Sequence, residues 1–268
     1  MNIKRFFLVA LSISSILLSV TGMAAQTGCP GHFANGQAPD IINQKLTAKT
    51  REVCYSGFAL KHSGITRTPL YAAEHLTRDR LIQGKGLKRQ SQFHPDDKIP
   101  RTERAELRHY AKSGYDRGHV APSADMFDLQ SQFECFSLAN MVPQVPENNR
   151  GPWEGIESAV RMMAKSKGDL YVVTGPIYQG SNIEQIGGAV MVPTKLFKAV
   201  YDPQRKEAGA YLIDNTADAQ PEKISIAELE KLTGISIFPS VEENVKSRLM
   251  RLPEPKSYKE RKRKGGRG

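Results

Sequence analysis

The chain has 268 residues, 38 Lys and Arg against 28 Asp and Glu, a formal charge of +10, and 39% hydrophobic residues. It is too apolar to be wholly disordered and long enough to bury one large core or two small ones. The positive excess favours a polyanion over a neutral partner, whether nucleic acid, an anionic membrane surface or acidic glycans.

Residues 1–25 carry Lys4 and Arg5, no acid, an apolar run from Phe6 to Val20, and small residues at Ala24 and Ala25. This reads as a secretory signal peptide, too short to span a bilayer comfortably; the alternative is an uncleaved anchor. A secreted or periplasmic protein is expected, with no stable membrane association after cleavage. Residues 26–52, rich in Gly, Pro, Asn and Gln, are expected to form an irregular N-terminal arm, and residues 53–250 one domain. Strands are predicted over 57–62 and 70–75, a short helix over 103–112 stopped by Ser113-Gly114, and a strand over 135–142. A helix over 148–165 has Pro152 and Trp153 in its first turns. Strands follow over 170–176, 189–193 and 197–201, then a helix over 224–232, capped by Ser225 with Glu228 three residues on. Residues 251–268 are predicted to be a disordered basic tail, ending in KSYKERKRKGGRG from Lys256. Strands and helices without a βαβ rhythm argue for α+β with a mainly antiparallel sheet and flanking helices.

The leader contributes +2 and residues 256–268 contribute +6, leaving +2 for residues 26–255. The folded body is nearly neutral. Removing the tail is expected to weaken non-specific polyanion binding and flatten its salt dependence. Cys29, Cys54 and Cys135 lack CxxC spacing, which disfavours structural zinc, and an oxidising compartment permits one disulfide and one thiol. Cys135 lies in an apolar run and reads as a buried small hydrophobe. Cys29–Cys54 is the expected pair, and a bridge involving Cys135 would overturn it.

Asp116-Arg117-Gly118-His119 is followed by Asn149, Trp153, Glu157 and Arg161 at four-residue intervals. On an unbroken helix these four drift along one flank, so an amide oxygen, a carboxylate and a guanidinium would face one region. Each has an ordinary explanation alone: a structural histidine, an Asn cap, a surface Glu–Arg pair. The joint arrangement favours chemistry.

Together with Ala139-Asn140-Met141-Val142-Pro143-Gln144, Val172-Val173-Thr174-Gly175-Pro176 and Val192 to Lys198, these residues make the chain resemble the DNA/RNA non-specific endonucleases. These enzymes carry a DRGH motif and a ββα-metal active site. The resemblance covers roughly residues 55–240. It implies His119 as general base and Asn149 as direct ligand of Mg²⁺, replaceable by Mn²⁺. Glu157 would hold water of the ion's shell, while Arg161 and Arg89 would contact phosphate. Arg117 and Asp116 are assigned to positioning base and substrate, and Asn140 and Gln144 to organising the loop before the metal helix. The expected activity is hydrolysis of DNA and RNA to 5′-phosphate ends, by a protein compatible with a homodimer. A non-enzymatic polyanion-binding protein is the competing class, but it has no need of His119, Asn149 and Glu157 in this order. An enzyme with the same chemistry on another phosphodiester is the third.

Overall fold

The computed structural model describes residues 27–265, so the expected signal peptide lies outside the described residues. Seven strands form the central sheet: β1 (Thr50–Cys54), β2 (Ala59–Ser63), β3 (Thr68–Thr77), β4 (Asp169–Ile177), β5 (Lys195–Asp202), β6 (Glu207–Asp214) and β7 (Glu222–Ile224). They lie side by side in chain order, every neighbouring pair antiparallel. Four helices bear on the core, the site and the C-terminal segment: α1 (Leu129–Cys135), α2 (Glu154–Lys167), α3 (Ile226–Thr233) and α4 (Tyr258–Gly265). The protein is α+β, as its element order implies.

Both faces of the sheet are covered, which is why β3 to β6 read as nearly continuous apolar runs. Ala72, Leu76, Val172, Val200 and Ile213 pack with Ile156, Val160 and Ala164 of α2. On the opposite face, Tyr71, Val173, Phe197 and Leu212 join Ile226 and Leu229 of α3 with Phe33 and Ala34 of the N-terminal arm. The arm is irregular as expected but docked: Asp40–Ile41 pairs with Ile235–Ser236, and Cys29 is disulfide-bonded to Cys54 on β1. Cys135 is a free, buried thiol. α3 has the expected cap, with Ser225 Oγ accepting from the Glu228 amide and the Glu228 carboxylate accepting from the Ser225 amide. It ends at Gly234, whose φ of 68° is left-handed.

Several expectations are corrected. Residues 135–142 are not one strand. Asp128 caps α1 by accepting from Ser131 N at 2.7 Å, α1 runs to Cys135, and a strand begins only at Met141. The 103–112 helix shrinks to Leu107–Tyr110 because tertiary contacts take its first residues: Glu103 pairs with Arg51, and its carbonyl meets His62 Nε2 at 2.9 Å. Of 189–193, only Val190–Met191 is strand. The helix expected over 148–165 is broken at Gly151 (φ −117°, ψ −107°), beside Pro152, which has no N–H to donate. The tail, expected to be disordered, is helical over Tyr258–Gly265.

Candidate active site

The chain leaves the sheet after β3 and returns at β4, and residues 78–168 between them build the site. Asp116–His119 pairs antiparallel with Met141–Gln144, opposing His119 to Met141 and Gly118 to Val142. The motif glycine has a steric cause: a Cβ on Gly118 would lie 2.8 Å from Gln144 Cβ and closer still to its Oε1. Gln144 is fully buried and donates to Asn148 Oδ1 at 2.8 Å, and Asn148 donates to the Asp214 carbonyl on β6. Asn140, also fully buried, accepts from Ala121 N and donates to Ala121 O, both at 2.9 Å, and to Cys135 O at 3.0 Å. Both side chains act from behind, fixing the hairpin to the segment that follows each strand.

In front of the hairpin opens a cleft of about 530 Å³, and Arg89, Asp116, Arg117, His119, Asn149, Glu157 and Arg161 all line it. Trp153 does not. The break at Gly151 resets the helical phase, and the indole is buried in the core at 1% exposure. Asp116 accepts from Asn149 Nδ2 at 2.9 Å and from Arg150 Nε and Nη2 at 2.8 and 2.5 Å. With its nitrogen so engaged, the Asn149 amide keeps its oxygen as the free donor atom.

Burial dominates the electrostatics. His119 sits edge-on to Phe136, ring centroids 4.9 Å apart. Its Nε2 is buried without a partner among the described residues, while the residue lines the cleft. Desolvation, assisted by the Arg89 charge, pushes the imidazole down to about 3, well below the 6.5 of a free histidine. Burial pushes the Glu157 carboxyl up to about 7, against the opposing pull of Lys198 and Arg161. Arg89 and Arg117 lie over the rings of Phe136 and Phe93 at 5.0 and 4.5 Å, so aromatic faces hold both guanidiniums without consuming their donors.

Arg161 is in the cleft, but its Nε is bonded to Asp125, a buried carboxylate that the sequence did not reveal. Below them, fully buried Lys198 on β5 donates to Thr174 Oγ1 at 2.7 Å and lies 3.9 Å from Glu74 on β3. Burial and the nearby Asp125 charge push Glu74 well above the usual carboxylate range. Asp125, Glu74, Lys198, Arg150 and Glu154, which also lines the cleft, escape a sequence reading because their partners are remote. Asp125 is 36 residues from Arg161 and Lys198 is 24 from Thr174.

Among the described residues, Cys29, Glu52 and Cys54 bring ligand-type atoms within 4.8 Å of one another, but the two cysteines are consumed by the disulfide. The cleft instead offers hard oxygen donors, the Asn149 amide and the Glu157 carboxylate, with no thiol or histidine cage. That donor set fits a hard, hydrated cation of the Mg²⁺ type.

The cleft thus brings together a hairpin histidine, His119, with the Asn149 amide and the Glu157 carboxylate of the following helical segment. Residues 37–244 match the DNA/RNA non-specific endonuclease family, and the chain belongs to that family. Its expected class, an endonuclease-type hydrolase, agrees with that membership. The chain is 32% identical over 209 residues to the mitochondrial nuclease EXOG of Danio rerio, covering 70% of this chain and 61% of that protein. It is 36% identical over 200 residues to the mitochondrial Nuclease 1 of Schizosaccharomyces pombe, covering 66% and 62% respectively. The match thus spans less than two thirds of either relative. A chain of the solved EndoG/EndoGI complex superposes with a TM-score of 0.67 at 27% identity, over 72% of this chain and 88% of that one. The expectation of a secreted or periplasmic protein is corrected by these relatives, since EXOG of four vertebrates and the nucleases of two yeasts are mitochondrial.

Proposed function

We propose that the chain is a divalent-metal-dependent endonuclease that hydrolyses DNA and RNA backbones to 5′-phosphate ends. The observation that carries the reading is the convergence of His119, Asn149, Glu157 and three arginines on one cleft, from segments spread over residues 89–161. Asn149 would hold the ion, with Mg²⁺ the fitting species and Mn²⁺ a substitute. When bound, the ion supplies positive charge to the scissile phosphate and the leaving oxygen.

The side chains do the rest. Arg117, Arg89 and the free face of Arg161 hold the phosphate oxygens and relieve the repulsion an anion presents to an incoming nucleophile. His119, neutral at physiological pH, accepts a proton from water at Nδ1 as the water oxygen bonds to phosphorus and the 3′ oxygen departs. A depressed imidazole is a weak base in the empty cleft. The incoming phosphodiester charge opposes the Arg89 effect and raises its basicity where the proton is needed. Glu157 accepts hydrogen bonds from water and orients it, and Asp116 positions Asn149. The test is digestion of plasmid DNA and of RNA by one preparation, with Mg²⁺ or with EDTA, followed by ligation of the fragments without kinase treatment. Metal-dependent cleavage of both polymers into ligatable fragments is expected. Cleavage indifferent to EDTA, or fragments that need 5′ phosphorylation before ligation, would refute the reading.

A further inference from the structure

The strongly basic C-terminal segment lies outside the family match, yet it is fastened to the wall of the cleft. Glu154, which lines that cleft, accepts from the Tyr258 amide at 2.9 Å and from Arg261 Nη2 at 2.5 Å. The next residue, Gly155, makes room for the crossing. A Cβ there would meet Lys256 C at 3.1 Å and Ser257 N at 3.2 Å, and its three nearest neighbours all belong to the tail. Arg261 also donates to the Lys256 carbonyl, folding the segment on itself. Tyr258 itself is 54% exposed, with Lys262 Nζ 5.0 Å and Arg261 Cζ 5.9 Å from its ring centroid.

We propose that residues 256–265, docked on Glu154 and Gly155, form a nucleic-acid-binding wall that continues the active-site cleft. The inference rests on the nuclease reading for the identity of the polymer in the cleft. Three observations favour nucleic acid. The segment from 256 to 268 carries +6, complementary to a phosphate backbone. An exposed tyrosine among cations suits base stacking. Docking also pairs Glu154 with Arg261, masking a negative charge that would otherwise repel substrate at the cleft mouth. An anionic membrane is the poorer fit, because the segment has no apolar face to insert beyond Tyr258.

Docking makes a sign prediction. Binding of a long and a short fluorescent DNA duplex is measured by anisotropy in EDTA, so that no cleavage is needed. Deleting residues 256–268 weakens long-duplex binding about tenfold or more and flattens the salt dependence by roughly 0.9 per lost phosphate contact, with little effect on the short duplex. Gly155→Leu, which displaces the tail without changing any charge, reproduces most of that loss. Glu154→Ala weakens binding in the full chain, where it undocks the tail, but tightens it in the deleted chain, where it only removes a repelling charge. Unchanged affinity on deletion overturns the proposal, as does a deletion effect that neither Gly155→Leu nor Glu154→Ala shares, which describes a free tether. Tail-dependent sedimentation with anionic vesicles but tail-independent DNA binding would assign the segment to membranes. Failure of the nuclease reading is separate: it shows as absent cleavage with Mg²⁺, whatever the anisotropy reports.

Discussion

His119 and Glu157 are displaced in opposite directions by one cause, withdrawal from water, and the two shifts make opposite demands on stability. For His119 the unfolded chain takes up a proton near pH 6.5 while the native cleft resists until about 3, so stability rises with pH across that window. For Glu157 the native state holds its proton up to about 7 and the unfolded chain releases it near 4.5, so stability falls as pH rises through that interval. Glu157→Gln should therefore stabilise the metal-free protein at pH 8 by about 1–3 kcal/mol while lowering activity. His119→Asn should flatten the loss of stability between pH 6.5 and pH 5. Urea unfolding in EDTA at several pH values measures both. Unchanged slopes would mean that neither group is desolvated. Burying these two groups in the cleft thus costs stability, as expected of an electrostatically prepared centre if the proposed function holds.

At the scale of elements, the hairpin depends on a glycine. Gly118→Ala should cost about 1–3 kcal/mol through overpacking against Gln144 and should lower kcat by displacing His119. Truncation of the neighbour in Gly118→Ala/Gln144→Ala should recover part of the stability, and thermal melts of the single and double variants check this. Gly118 shows how a motif can be legible before its cause is. The letters DRGH mark the residue, but the close approach that requires it involves a side chain 26 positions away. Period and capping revealed β2 to β5 and α3 because their signals are local: apolar runs bounded by turns, and the Ser225–Glu228 box. They failed over 135–142, where an apolar run read as strand although the helix capped by Asp128 runs to Cys135, and at Gly151, where an assumed continuous helix put Trp153 on one flank with Asn149 and Glu157. His119, Asn149, Glu157 and the arginines could be singled out as candidates because each carries a titratable, charged or metal-ligating group in its own side chain, and all of them line one cleft. Asp125, Glu74 and Lys198 matter only through partners on other elements, and no local pattern encodes those.

For the whole molecule, the strict strand order makes the sheet a scaffold with one long excursion, and both ends of the described chain are tied back onto the body. The N-terminal arm is secured by Cys29–Cys54, whose sequence separation is 25 residues. Replacing both cysteines by serine should lower stability by about 3 kcal/mol on chain-entropy grounds. The cleft is remote in fold position from the arm, so kcat at a temperature below the transition should be retained; calorimetry and steady-state kinetics on the same sample separate the two. The C-terminal segment turns the charge distribution from a tether into a wall, so that a nearly neutral body presents its positive potential where the cleft opens. The proposed function joins His119 and Asn149 in one metal-dependent cleavage centre. The deciding measurement is the initial rate of plasmid cleavage across a Mg²⁺ titration for the unmodified protein, His119→Ala and Asn149→Ala. Both variants should fall by about 10²-fold or more, His119→Ala keeping the original Mg²⁺ midpoint and Asn149→Ala losing its response to the ion. Undiminished cleavage by either variant would show that the centre lies elsewhere.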